Sequence, residues 1–77
     1  MNLNLKYFGS LAEITHCNEE TLEFKMSSVS ELLEILFEKY PELKAKDFQL
    51  AQNHEIVSKD TIISENEIAL LPPFSGG

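Results

Sequence analysis

The residues best suited to chemistry close the sequence: Pro72-Pro73-Phe74-Ser75-Gly76-Gly77. Two of the three glycines in the chain stand there, an ending that the usual glycine frequency of about 7% would give by chance in about 0.5% of chains. A frayed terminus is the plain alternative, but each residue type suits an arm that enters another protein's active site. Proline cannot extend a central strand and favours polyproline II, so Pro72 and Pro73 should end a sheet and project the last four residues away from it. Phe74 offers an apolar anchor at the base of such an arm, and Ser75 links it to the end. Gly76 and Gly77 lack a Cβ, so they can thread a narrow channel and leave the terminal carboxylate sterically open. That carboxylate, with an ordinary pKa of about 3.5, is ionised and resists nucleophiles until it becomes an ester-like derivative with a good leaving group. Adenylation by a separate enzyme would supply the leaving group. A sulfur nucleophile would then leave a thiocarboxylate on Gly77, and a lysine amine would leave an isopeptide bond. The motif itself does not choose between them.

The remaining reactive side chains point to little. Cys17 follows His16 directly, but adjacent residues rarely face each other, so a structural or surface cysteine is expected rather than a nucleophile and base. His16 and His54 have no Cys/His spacing that would assemble zinc, and no metal site is expected. One cysteine cannot form an internal disulfide, which suits a reducing compartment, the cytoplasm. The start Met1-Asn2-Leu3-Asn4 has no signal-peptide character and no apolar run approaches a membrane span, so neither secretion nor a membrane partner is expected. Thirteen acidic residues against six lysines give a formal charge of −7, with no arginine in the sequence. Nucleic acid is an unsuitable partner for such a chain. The charge instead favours encounter with basic protein surfaces, or simply keeps the protein soluble.

The 77 residues are enough for one domain, 1–77, with 72–77 as its protruding tail. Leu3, Leu5 and Tyr7 alternate with Asn2, Asn4 and Lys6, the pattern of a half-buried strand over residues 2–8. Gly9 and Ser10 break it, and Leu11, Ala12, Glu13 and Ile14 suit one helical turn. Leu22, Phe24 and Met26 mark a second strand over 20–26, paired with the first as a wide hairpin. Ser28-Val29-Ser30-Glu31 fits a capping box, with the glutamate reaching back to the cap. Val29, Leu32, Leu33, Leu36, Phe37 and Tyr40 then form the apolar stripe of a helix of about 12 residues, stopped by Pro41. A polar stretch spans 44–47. Residues 48–51 and 55–57 read as short strands around an Asn53-His54 turn, and 67–71 as a last strand after the turn-like Ser64-Glu65-Asn66. One helix covers one face of a sheet, so the fold class is α+β. If the first and last strands are parallel neighbours, it is a β-grasp (ubiquitin-like) roll: a mixed sheet, one main helix on one face, and an extended C-terminal tail.

The run Glu67-Ile68-Ala69-Leu70-Leu71-Pro72-Pro73-Phe74-Ser75-Gly76-Gly77 resembles the ending of the MoaD/ThiS family of sulfur carriers, on its molybdenum-cofactor side. Tyr7-Phe8-Gly9-Ser10-Leu11-Ala12-Glu13-Ile14 resembles that family's aromatic-led segment after strand one. The double-proline ending is the specific part. The resemblance implies a β-grasp fold whose Gly77 is adenylated by an E1-like enzyme and sulfurated to a thiocarboxylate. It implies that Pro72, Pro73, Phe74, Ser75 and Gly76 form the tail inserted into a large, catalytic partner subunit of molybdopterin synthase. There sulfur passes to cyclic pyranopterin monophosphate. Two small and two large subunits are implied, with a sulfur donor protein upstream. The chain would not be an enzyme on its own and would bind no cofactor, the ATP being used by the activating enzyme. A carrier for another pathway, such as thiamine synthesis, or a ubiquitin-like protein modifier would share the Gly-Gly ending. The sequence departs from the family pattern at Ala12, where arginine is frequent, at His16, where glycine is, and at Ala51-Gln52-Asn53, where a Val-Asn pair is more usual. These departures bear on partner contacts.

Overall fold

Leu3, Leu5 and Tyr7 point the same way from strand β1 (Asn2–Tyr7) and are buried, while Lys6 and Phe8 face out. A computed structural model of the chain describes residues 2–25 and 27–73. Helix α1 (Ser10–Thr15) follows, seated by the buried Leu11 and Thr15, and ends on His16 in the left-handed region at φ 64°. The chain then returns as β2 (Glu19–Glu23), antiparallel to β1 in the register Leu3↔Leu22 and Leu5↔Glu20. This is the expected wide hairpin, with one difference in the strand's bounds. β2 ends at Glu23, Phe24 is buried just beyond the strand, and Met26 lies outside the described residues.

Helix α2 (Val29–Lys39) buries Val29, Leu32, Leu33 and Leu36, with Phe37 and Tyr40 packed against the same core. Ser28 caps it, its hydroxyl accepting from the Glu31 N–H at 3.4 Å. The glutamate half of the expected capping box is not made: the Glu31 carboxylate accepts from the Ser27 hydroxyl instead. The two preceding N–H groups, which a helix leaves without partners of its own, donate outside it, Val29 to the Thr61 carbonyl at 2.9 Å and Ser30 to the Lys59 carbonyl at 3.0 Å. Pro41 ends the helix and opens a 3-10 turn (Pro41–Ala45) that buries Leu43 completely, in and just before the stretch expected to be merely polar.

Strands β3 (Gln49–Gln52) and β4 (Glu55–Val57) pair antiparallel, with Gln52 opposite Glu55. Asn53 and His54 between them have φ 53° and 65°, the two left-handed residues that a tight hairpin turn of the favoured hand requires. Strand β5 (Glu67–Leu71) lies between β1 and β3, parallel to the first and antiparallel to the second. The order β2-β1-β5-β3-β4, with parallel first and last strands and α2 on one face, is the topology anticipated for a β-grasp roll. Leu3, Leu5, Leu32, Leu36, Ile68 and Leu70 are fully buried between sheet and helix, each worth about 1.5–3 kcal/mol of apolar transfer.

One charged group enters this interface. Glu20 accepts from the Tyr7 hydroxyl at 2.5 Å, from the Tyr40 hydroxyl at 2.9 Å and from the Lys39 ammonium at 2.9 Å, and the two tyrosine rings meet edge to face at 6.3 Å. Burial alone would raise the Glu20 carboxyl, but the three donors together outweigh it and hold the group below the usual glutamate range. Burial, and then the hydrogen bond to Glu20, push both tyrosine hydroxyls up.

Candidate functional site

The site is built where β5 gives way to the tail. The ladder between β1 and β5 runs Asn4↔Glu67 to Tyr7↔Leu70 and is extended by the Phe8 N–H, which donates to the Leu70 carbonyl at 3.1 Å. On the other side of β5, Gln49 pairs with Leu71. Pro72 has no N–H with which to continue either ladder, and Pro72 and Pro73 are exposed. The sheet therefore stops where the proline pair predicts. Phe74, Ser75, Gly76 and Gly77, including the residue expected to carry the reactive carboxylate, lie outside the described residues.

Gly9 closes the root of the tail from the side of β1. Its φ of +60° with ψ −136° belongs to a region that side-chain-bearing residues rarely adopt. A Cβ placed there would come 2.8 Å from the Cγ of Pro72.

The sheet face away from α2 begins at this same point. Strand alternation puts Lys6 and Phe8 of the first segment, Ala51 of β3, Ile56 of β4, and Glu67, Ala69 and Leu71 of β5 on it, and they line an open groove of about 590 Å³. Ile56 sits opposite Ala51 in the register. Phe8 is 45% exposed and Ile56 56% exposed, so both offer apolar surface on this face. Lys6 and Glu67 form an ion pair of 3.1 Å across the parallel strands within the groove, both side chains remaining close to half exposed. The groove is thus apolar toward the tail and polar toward Glu65, Asn66 and Glu67 at its far end.

Leu70 is fully buried, whereas Leu71 is half-buried and lines the groove. His16 is exposed at the end of α1, and Cys17 is half-buried against the core with its Sγ 3.7 Å from the Thr15 hydroxyl. Neither belongs to the site. Among the described residues no three His, Cys, Asp or Glu side chains come together as a metal site, and no helix is long and apolar enough to cross a membrane. Sequence reading missed Phe8, Ile56 and the Gly9 contact. The signal for Ile56 was present in the two-residue turn, since fixing Gln52 opposite Glu55 places Ile56 beside Ala51.

A model of the ThiS family matches residues 5–77. A relative from Caenorhabditis briggsae, described as a molybdopterin synthase sulfur carrier subunit, is 35% identical over 83 residues, covering 100% of this chain and 99% of the relative. A putative molybdopterin converting factor, subunit 1, from Pyrococcus furiosus superposes with a TM-score of 0.86 at 21% identity, over 96% of this chain and 99% of that one. The solution structure of small archaeal modifier protein 1 from Methanosarcina acetivorans gives 0.76 at 25% identity, over 99% and 96%. These likenesses are to β-grasp, ubiquitin-like proteins, the fold that the strand order describes.

Proposed function

Because this chain belongs to the ThiS family, we propose that it is the sulfur carrier subunit of a molybdopterin synthase, acting in the cytoplasm through the carboxylate of Gly77. The observation that carries this reading is the end-to-end match to a relative described as such a carrier, in a chain whose last strand delivers a Pro-Pro lead off the sheet beside an open apolar face.

In the proposed cycle a Gly77 carboxylate oxygen attacks the α-phosphorus of ATP on an E1-like enzyme, and pyrophosphate leaves. A persulfide on a donor protein displaces AMP from the acyl adenylate to form an acyl disulfide, and a second thiol then attacks the donor's sulfur, forming a disulfide with it and releasing the thiocarboxylate. The tail, Pro72 to Gly76, then carries that sulfur into the large subunit, where it is given to cyclic pyranopterin monophosphate and the carboxylate is restored by water. The groove of Phe8, Ile56 and Leu71 supplies the docking area that a tail of six residues lacks. Catalysis belongs to the partners, and this chain contributes a positioned acyl group, two small subunits assembling with two large ones.

Intact-mass measurement of the chain isolated from its host tests the reading. Exchange of one oxygen for sulfur, placed on Gly77 by fragmentation and absent from a chain ending at Gly76, is the expected result, with loss of molybdoenzyme activity in cells holding only the shortened chain. Full activity of the shortened chain would overturn it. The structural likeness to an archaeal modifier protein favours one second reading, a protein modifier, whose mark is isopeptide conjugates on lysines that disappear with Gly77.

A further inference from the structure

The geometry points to Gly9 as a positioning residue for the root of the tail: position 9 is the seat on which the Pro72 ring rests, and its lack of a side chain sets where Pro72 and Pro73 leave the sheet. This inference rests on the carrier reading and adds to it a residue 63 positions away in sequence from the one it serves.

Three observations fix the seat. The Phe8 N–H bonds the Leu70 carbonyl at 3.1 Å, so the backbone at Gly9 and the start of the tail are held side by side. Gly9 cannot step back, because its carbonyl accepts from the Ala12 N–H at 3.1 Å and the Phe8 carbonyl accepts from the Leu11 N–H at 3.2 Å, while Leu11 is only 1% exposed in the core. On the other side, Pro72 is exposed and ends the ladder, so it is the partner free to yield. A Cβ at position 9 would lie 2.8 Å from Pro72 Cγ but 3.8 and 3.9 Å from its Cδ and Cβ. One methyl group therefore meets the ring atom that puckers most easily, whereas a longer side chain must displace the whole ring.

Pro72 is the last residue held beside the sheet before the reactive end, so a shift of its ring shifts the root from which that end is presented. A misplacement of about 1 Å at a reacting group can lower a rate by about 100-fold.

The test is a cycle of full-length chains: Gly9→Ala, Gly9→Leu, Pro72→Ala, and each Gly9 variant combined with Pro72→Ala. The rate of sulfur gain at Gly77 is followed by intact mass with ATP and the host's activating enzyme and sulfur donor, alongside urea unfolding of each chain. Gly9→Leu is expected to lower the maximal rate at least about tenfold with little change in KM, and Gly9→Ala by less. Pro72→Ala should restore most of the loss in either Gly9 background, since it removes the ring atom that is struck, without restoring the unfolding midpoint that the positive φ costs. If Gly9→Leu fails to fold, the Gly9→Ala pair gives the same coupling at smaller amplitude. Rates that follow the unfolding midpoint, or that Pro72→Ala does not rescue, overturn the positioning role. Sulfur gain by a chain ending at Gly76 overturns the carrier reading itself, whatever Gly9 does.

Discussion

Glu20 keeps its charge in an interface where most side chains are apolar, and it does so because three donors converge on it. Its side chain is only 17% exposed, so the hydrogen bonds from Tyr7 and Tyr40 are weakly screened, whereas Lys39 is 49% exposed and its ion pair is screened much as a surface pair is. The folded carboxyl titrates below the usual glutamate range, whereas in the unfolded chain it titrates near 4.3–4.5. The stability it supplies is therefore fully present above that value and is lost as pH falls through the lower, folded one. The tyrosines act with the opposite sign. Their raised hydroxyls stabilise the fold below about pH 10, the unfolded value, and that support fades as pH climbs toward their folded values. Glu20→Gln is expected to cost about 2 kcal/mol at pH 7, the scale of hydrogen bonds to a charged acceptor. It should also flatten both the acid and the alkaline limbs of a plot of urea midpoint against pH. A variant whose limbs match those of the parent chain would show that other carboxylates govern the acid transition. The sequence placed Tyr7 and Tyr40 on apolar faces but did not show the cluster, because Tyr7, Glu20 and the Lys39-Tyr40 end of α2 come from three elements, and alternation marks Glu20 only as inward-facing, which for a glutamate reads as an error in the pattern.

At the scale of elements, periodicity was informative wherever an element presents one clean face. The stripe from Val29 to Tyr40 located α2, the period-2 run located β1 to within a residue, and the apolar run between the Ser64-Glu65-Asn66 turn and Pro72 located β5. The 3-10 turn Pro41–Ala45 was invisible for a physical reason: five residues offer a single inward position, Leu43, and one leucine among Glu42, Lys44 and Lys46 makes no period. Yet Leu43 is fully buried beneath the end of α2 and against the core. Its backbone N–H bonds the Tyr40 carbonyl at 3.0 Å, which ties it to the cap of the helix that carries the Glu20 contacts. Leu43→Ala should leave a cavity costing about 2–5 kcal/mol. For a domain of this size each kcal/mol lowers Tm by about 4–8 °C, so thermal unfolding would detect the lower bound easily. A change below about 1 kcal/mol would mean that the turn collapses onto the vacated space and contributes little to holding α2. The candidate site divides the same way. The tail announced itself by composition, in adjacent residues. The groove draws Phe8, Ala51, Ile56 and Leu71 from four segments, and only the observed register brings them together.

For the molecule as a whole, charge and apolar surface have separable consequences for docking. The net charge of −7 is spread over a domain with 5037 Å² of accessible surface, against the about 4,700 Å² that its mass leads one to expect. Such a field acts at long range, raising the rate of encounter with a basic partner and weakening as salt shortens the screening length to about 8 Å at physiological ionic strength. Phe8 and Ile56 act only at contact, where desolvated apolar anchors mainly slow dissociation. Binding of the chain to the proposed large subunit, followed by stopped flow, should therefore respond on two axes. Raising salt should lower the association rate while leaving dissociation nearly unchanged. Phe8→Ala and Ile56→Ser should each speed dissociation by about 30-fold, the equivalent of about 2 kcal/mol for an interface hot spot, with association almost unaltered. Both side chains are about half exposed, so each variant should lose only about 1 kcal/mol of stability, and a urea midpoint read for each separates that loss from the change in dissociation. An association rate indifferent to salt would reduce the acidic surface to an aid to solubility. Unchanged dissociation in both variants would move the docking surface off this face of the sheet and leave the tail alone to hold the partner.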